Sequence, residues 1–228
     1  MLNGKEAEQM LFGFSSGIEY RFGKNGTAII TSVGTCEDKH IVIPEFVEGK
    51  TVTEVDERAF SCSDHILSIT LPHTVSKIGK GAFSWCHKLE FVKACGIIEI
   101  ADKAFMGCDS LTDIYLGSKI KKIGKKAFAY CSELQTAFIP NSVTEIGASA
   151  FEGCRGLNSA SLPEKLMIIE SGIFYGCTNL SSIALPENVR YVNEFAFAYC
   201  VSLNELKIPR TAVLNKDAFF ECNIKKAS

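Results

Sequence analysis

Apolar residues recur along the chain in one fixed phase. A phenylalanine, usually preceded by alanine, stands at Phe60, Phe83, Phe105, Phe128, Phe151, Phe174, Phe197 and Phe219, with successive spacings of 23, 22, 23, 23, 23, 23 and 22 residues. Three residues after seven of these anchors comes a cysteine: Cys86, Cys108, Cys131, Cys154, Cys177, Cys200 and Cys222. Six after comes Leu89, Leu111, Leu134, Leu157, Leu180 or Leu203, with Ile66 in the first copy. A period of about 20 to 30 residues with apolar positions in phase marks a repeat array. No unit of such an array buries its apolar face alone, so neighbours stack into a solenoid.

Within each unit the stretch L-x-x-I-x-L ends in period-2 alternation and predicts a strand of a parallel sheet, stopped by proline. The stretch V-x-x-I-G predicts a second short strand or an extended segment. The stretch A-F-x-x-C-x-x-L predicts a turn or one loop of helix, with Phe, Cys and Leu inward at helical spacing. Cys95 and Gly117 stand where other units have the proline, and Ser63 takes the ladder place in the first unit.

Ahead of the array, Ala7, Met10, Leu11 and Phe14 predict a short helix over residues 5–14. Residues 18–22 and 27–32 read as strands around Gly23-Lys24-Asn25-Gly26, whose Asn-Gly is a strong hairpin signal. A third strand is expected over 40–43, before Pro44. The expected organisation is therefore an N-terminal cap with a β-hairpin over residues 1–43, covering the first edge of the array, and a solenoid of about eight turns over 44–228. An insertion with Glu48-Gly49-Lys50 lengthens the first turn. After Cys222 too little chain follows for another strand, so the last turn is expected to lack a cap.

The unit L-x-x-I-x-L-P-x-x-V-x-x-I-G-x-x-A-F-x-x-C, carried for example by Leu180, Ile183, Leu185, Pro186, Val189, Ala196, Phe197 and Cys200, resembles the BspA-like class of leucine-rich repeat. The resemblance runs from about residue 41 to 222. It implies a right-handed, β-rich solenoid with short helical or 3-10 corners. In function it implies a recognition or adhesion scaffold for a protein or surface polymer, at a microbial cell surface or secreted. It implies no catalytic residue and no cofactor.

Composition narrows the classes further. With 46% hydrophobic residues in 228, the chain can bury a sizeable core without a metal or disulfides. A formal net charge of −2 gives no global field favouring nucleic acid or an anionic membrane. No apolar run is long enough to span a bilayer, so no membrane insertion is expected. Lys5, Glu6 and Glu8 fall where a secretory signal needs its apolar region. The protein therefore either stays inside or is part of something longer. The periodic cysteines read as buried, reduced thiols that pack like small hydrophobes. Ladder side chains point the same way, whereas a disulfide needs its two Cβ atoms directed at each other. A serine at Cys154 would then lack a partner and cost about 1 to 3 kcal/mol.

Candidate chemistry is sparse. Ser63-Asp64-His65 holds the residue types of a hydrolase triad without a nucleophile elbow. Cys62, His65, Cys86 and His87 sit on consecutive turns and form the competing metal or enzymatic reading, without the paired C-x-x-C spacing that advertises zinc. A third reading is a purely structural spacer. Lys119, Lys121, Lys122, Lys125 and Lys126 form a basic run, interrupted by acids such as Glu145. The sharpest expectation concerns the strand face. If positions one, four and six of L-x-x-I-x-L point inward, positions three and five point outward. That presents Phe91 and Lys93, Asp113 and Tyr115, then Thr136 and Phe138 on three consecutive turns. With turns about 4.8 Å apart the three rings would form one aromatic patch, an anchor for a partner or for self-association. Self-association through the uncapped last turn is the other route.

Overall fold

The computed structural model describes residues 14–224. The helix expected over 5–14 lies almost wholly outside the described residues. The chain winds into a β-solenoid of about eight turns, each with two strands and a corner except the last, where residues 203–209 form no strand and only Val213–Leu214 pairs. One face carries the L-x-x-I-x-L strands, which pair parallel from His40–Val42 through Ser68–Thr70 and Phe91–Ala94 to Asp113–Leu116. They resume as Thr136–Phe138, Ser159–Ser161 and Ser182–Ala184. Strands ahead of Cys95 and Gly117 run four residues and the others on this face three, as expected where proline's missing N–H no longer ends the ladder. The second face carries the V-x-x-I-G strands, from Lys50–Val55 through Lys77–Ile78, Glu99–Ile100 and Lys122–Ile123 to Glu145–Ile146. It resumes as Ile168–Ile169, Tyr191–Val192 and Val213–Leu214. Ala28–Ser32 adds parallel to Lys50–Val55, and Glu19–Phe22 folds back on it antiparallel, closed by the Gly23 N–H to Thr27 carbonyl bond of 2.8 Å. Phe46–Val47 in the lengthened first turn pairs antiparallel with Lys50–Val55.

Of the turn or loop of helix expected at each corner, the turn is what forms, and no helix or 3-10 segment occurs among the described residues. Two left-handed residues bracket every anchor from Phe60 to Phe197. Two positions before stand Arg58, Gly81, Lys103, Lys126, Ser149, Gly172 and Phe195, with φ between 56° and 63°. Two positions after stand Cys62, Trp85, Gly107, Tyr130, Gly153, Gly176 and Tyr199, with φ between 60° and 76°. A right-handed helix cannot pass through such reversals. The corner alternates bonds instead. Gly81, Phe83 and Trp85 donate their N–H groups to Asp102, Ala104 and Met106 on the next turn at 2.9, 2.7 and 2.7 Å. Ala82, Ser84 and Cys86 donate within their own turn. Each corner is thus bonded to its neighbours much as the sheets are.

The anchors fill the interior behind these corners. Phe60, Phe83, Phe105 and Phe128 stack with centroids 5.0, 5.2 and 5.3 Å apart and planes within 6° of parallel. The column continues to Phe219, with the largest tilt, 21°, between Phe174 and Phe197. From Cys86 to Cys200 the ladder thiols are buried beside it. Each ladder thiol, through Cys222, donates to the carbonyl of the preceding turn's anchor, as Cys86 to Phe60 at 2.9 Å and Cys154 to Phe128 at 3.1 Å. This corrects the expectation for serine. A hydroxyl at 154 would find the Phe128 carbonyl waiting.

Two predictions follow from the thiol ladder. Cys154→Ser should destabilise by about 1 kcal/mol or less, and Cys154→Ala by more, because alanine abandons the buried carbonyl and leaves a void. Urea denaturation of both variants checks the order, and a better-tolerated alanine would refute the hydrogen bond's role. Burial also pushes the Cys86 and Cys154 thiols up to about 12 from an ordinary 9.0. A thiol whose folded pKa is raised contributes fully below the unfolded value and loses that contribution as pH climbs toward the folded one, because only the unfolded chain ionises. Each such thiol should therefore cost about 1.4 kcal/mol per pH unit above pH 9. Unfolding free energies at pH 8, 9 and 10 should fall less steeply for Cys154→Ala than for the parent chain, and parallel curves would defeat this account.

Candidate functional site

Register puts the outward strand positions in two columns. The third positions align as Ser68, Phe91 and Asp113, and the fifth as Thr70, Lys93 and Tyr115. Beyond them run Thr136, Ser159 and Ser182, and Phe138, Ser161 and Ala184. Phe91 is half-buried and meets Tyr115 with centroids 5.5 Å apart. Tyr115 is 59% exposed and Phe138 78%. Lys93, Asp113 and Thr136 are exposed beside them.

The third ring does not join the first two, because the sheet is interrupted at that step. Glu90 N–H bonds to the Leu67 carbonyl at 2.8 Å, Thr112 to Glu90 at 3.0 Å, Asn158 to Gln135 at 2.8 Å and Ser181 to Asn158 at 3.0 Å. Among the described residues no such bond joins Gln135 to Thr112, and Asp113–Leu116 and Thr136–Phe138 belong to separate sheets. A cavity of about 430 Å³ opens in the gap. Tyr115 and Phe138 line its mouth, and it reaches through Ile114, Leu134 and Ala137 to Phe128, Phe151 and Ile123. The core-facing Ile114 and Leu116 are half-exposed here, whereas Val92 and Ala94 one turn earlier are fully buried. A second interruption lies on the other face, one turn later. Glu145–Ile146 and Ile168–Ile169 do not pair, and a cavity of about 580 Å³ opens between them beside the exposed Met167.

The basic run is divided by its neighbours. Along the second face Glu54, Lys77, Glu99, Lys122 and Glu145 align in register with alternating sign. Lys77 lies 3.0 Å from Glu54, whose carboxylate raises the lysine pKa, and Lys122 lies 3.7 Å from Glu145. Lys126 pairs with Glu152 at 3.1 Å, in a carboxylate that also accepts the Tyr130 hydroxyl at 2.5 Å. Lys119, Lys121 and Lys125 are exposed.

The residues of the metal reading turn apart. The Cys86 thiol points at the Phe60 carbonyl, and His87 Nδ1 bonds to Asp109 at 2.7 Å. Cys62 is exposed and its sulfur lies 3.7 Å from the Ser61 hydroxyl. Among the described residues no group of three or more His, Cys, Asp or Glu side chains is placed to hold a metal ion.

One feature escaped the sequence reading. Trp85, Tyr130, Tyr175, Phe195, Tyr199 and Phe220 are exposed along the outer corner. Tyr175, Tyr199 and Phe220 meet edge to face at 5.3 and 5.6 Å. Trp85 lies over Gly107 and Tyr130 over Gly153, each where a Cβ on the glycine would collide with the ring. The signal was present two residues after the anchors, where Trp85, Tyr130 and Tyr199 share the position with Gly107, Gly153 and Gly176.

Both the fold and the repeat define a leucine-rich repeat scaffold. The model of the BspA type leucine rich repeat region matches residues 35–134 and 98–225, and the chain belongs to that family. A leucine-rich repeat protein from Bacteroides ovatus is 30% identical, with a TM-score of 0.84 over 92% of this chain. This chain spans 57% of the length of that protein. The leucine-rich repeat protein of T. pallidum is 33% identical, with a TM-score of 0.78, over 82% of this chain and 88% of that one. No curated protein matches the sequence. Among the described residues no helix is long and apolar enough to cross a membrane.

The outward position of Tyr115 and Phe138 predicts little stability cost on their removal. Tyr115→Ser and Phe138→Ser should each change the unfolding free energy by less than about 0.5 kcal/mol. Phe128→Ala, in the anchor column, should cost about 3 kcal/mol or more. Chemical denaturation separates the two classes, and a large loss at Phe138 would show that its ring serves the core.

Proposed function

We propose that the chain is a non-catalytic recognition scaffold that binds a protein partner through its strand face, at the bacterial cell surface or outside the cell. The observation that carries this reading is the pair of exposed rings, Tyr115 and Phe138, on a face whose other outward residues, apart from the half-buried Phe91, are mostly small or polar. Exposed aromatic side chains held on rigid strands are typical interface anchors, because little side-chain entropy is lost when they are covered. The stacked corners and bonded turns keep the face stiff, so binding need not order the scaffold. Lys93, Asp113 and Thr136 frame the rings with polar groups, and Phe91 supports Tyr115 from the preceding turn. Family membership supports the same role, since repeat scaffolds of this kind concentrate binding on one extended face.

Selecting a random peptide library on the immobilised chain tests the reading without a known partner. Peptides enriched on the parent chain should lose binding to a Tyr115→Ser, Phe138→Ser double variant of unchanged stability. Peptides that bind both chains equally would remove the strand face from the function.

A further inference from the structure

The interrupted strand face raises a sharper question than its exposed rings. We infer that the gap between Asp113–Leu116 and Thr136–Phe138 is an acceptor site for one extended peptide strand carrying an inward apolar side chain and a neighbouring basic residue. The inference rests on the strand-face reading above and adds a mode of binding to it.

Two features of the gap favour a strand over any other occupant. Its walls are the end strands of two separate sheets, whose facing main-chain groups pair with no other strand among the described residues, and it lies partway along the strand face rather than at an end of the solenoid. Unpaired strand edges recruit another strand. Its floor is apolar, formed by Leu134, Ile123, Phe128 and Phe151. In the fourth position of the unit, Ile69, Val92, Ile114 and Ile183 fill the core, while Ala137 and Ala160 stand in the same column. At Ala137 the missing side-chain volume falls on the cavity wall. A side chain from an incoming strand would occupy that space.

Charge sets the remaining preference. Asp113 is the one charged side chain lining the cavity and has no ion-pair partner within 4 Å among the described residues. A lysine or arginine on the incoming strand would neutralise it, and an acidic one would be repelled. The rings of Tyr115 and Phe138 would then close over the outward side chains of that strand. The two turns are also joined at the lip of the gap, where the Glu133 N–H bonds to the Asp109 carbonyl at 3.0 Å, so an inserted strand begins after that bond, and the stitching elsewhere holds the turns together. Lys126, Phe128 and Tyr130 bond to Ala148, Ala150 and Glu152 at the corner, and Gly147 bonds to Ile123 at 2.8 Å on the second face.

The chain itself supplies a probe with the right pattern, the acetylated and amidated hexapeptide Leu-Glu-Phe-Val-Lys-Ala of residues 89–94. In its native place this segment pairs with Asp113–Leu116, with Val92 inward and Lys93 beside Tyr115. Titrated into the full chain, the peptide should protect the amides of Tyr115, Thr136 and Phe138 from hydrogen exchange. Ala137→Ile should weaken binding by about tenfold or more, a change of about 1.4 kcal/mol, while leaving the chain at least as stable. Ala160→Ile, outside the cavity, should bind within about twofold of the parent. Failure of the peptide to bind at millimolar concentration, or equal binding to Ala137→Ile, would overturn strand insertion. So would protection confined to exposed amides away from the gap. If library peptides still depended on Tyr115 and Phe138, the strand-face reading would stand without insertion. Concentration-dependent dimerisation blocked by Ala137→Ile would identify the inserted strand as one from a second copy.

Discussion

The structure depends on the contact made where each anchor phenylalanine stacks on the next and each ladder thiol caps the carbonyl of the anchor one turn behind it. Stacked rings alone would tolerate sliding, because dispersion between flat faces varies slowly with offset. The thiol removes that freedom by tying one specific atom of a turn to one specific atom of the next. Cys131 reaches the Phe105 carbonyl and Cys154 the Phe128 carbonyl, at 3.2 and 3.1 Å. The same carbonyls also accept an N–H from their own turn. Register between turns is therefore fixed in the core, and the strands on both faces inherit it.

That arrangement explains why both faces can be interrupted without loss of the solenoid. The anchor rings remain 5.4 Å apart across the first gap and 5.6 Å across the second. The turn from Thr136 to Phe151 is unpaired toward its predecessor on one face and toward its successor on the other, yet its corner is bonded to both. Deleting a ladder in an isolated sheet would expose backbone groups with nothing else to hold the strands together. Here a third line of bonds carries the load.

The repeat, the inward positions and the two strands per turn were legible because each leaves a periodic trace in side-chain type. Phe60 through Phe197 are buried in the column that their spacing marked. The corner conformation was not legible. Phe, Cys and Leu at helical spacing face one way whether the backbone is helical or alternates around left-handed residues. The distinguishing mark is conformational, and Lys126, Ser149 and Tyr130 adopt φ of 56°, 58° and 64° without being glycine. The thiol's acceptor was hidden for a related reason, since a backbone carbonyl has no residue type. Of the candidate site, the outward direction of Tyr115 and Phe138 followed from strand alternation. Their separation did not, because a lost ladder depends on packing summed over several turns.

Ala137 shows how such a sum works. The alanine is small, inward and buried, and taken alone it reads as tolerated variation in a hydrophobic column. Its consequence appears only beside Ile114 and Leu116, which lose cover on the side where an isoleucine would have stood. The two strands do not pair here, yet Ala160, the same residue one turn later, leaves its strand paired on both sides, so the alanine alone does not open the sheet, and the corner does not require the sheet to close. A solenoid thus has latitude that a single-sheet domain lacks, because one face can drop a ladder while the corner and the other face still hold the turns together. The cleft then lies between rigid walls already bordered by main-chain donors and acceptors. Specificity would come from few residues, here the lone Asp113 carboxylate and the two rings at the mouth. Affinity would come from the backbone and from apolar area that the fold itself leaves uncovered.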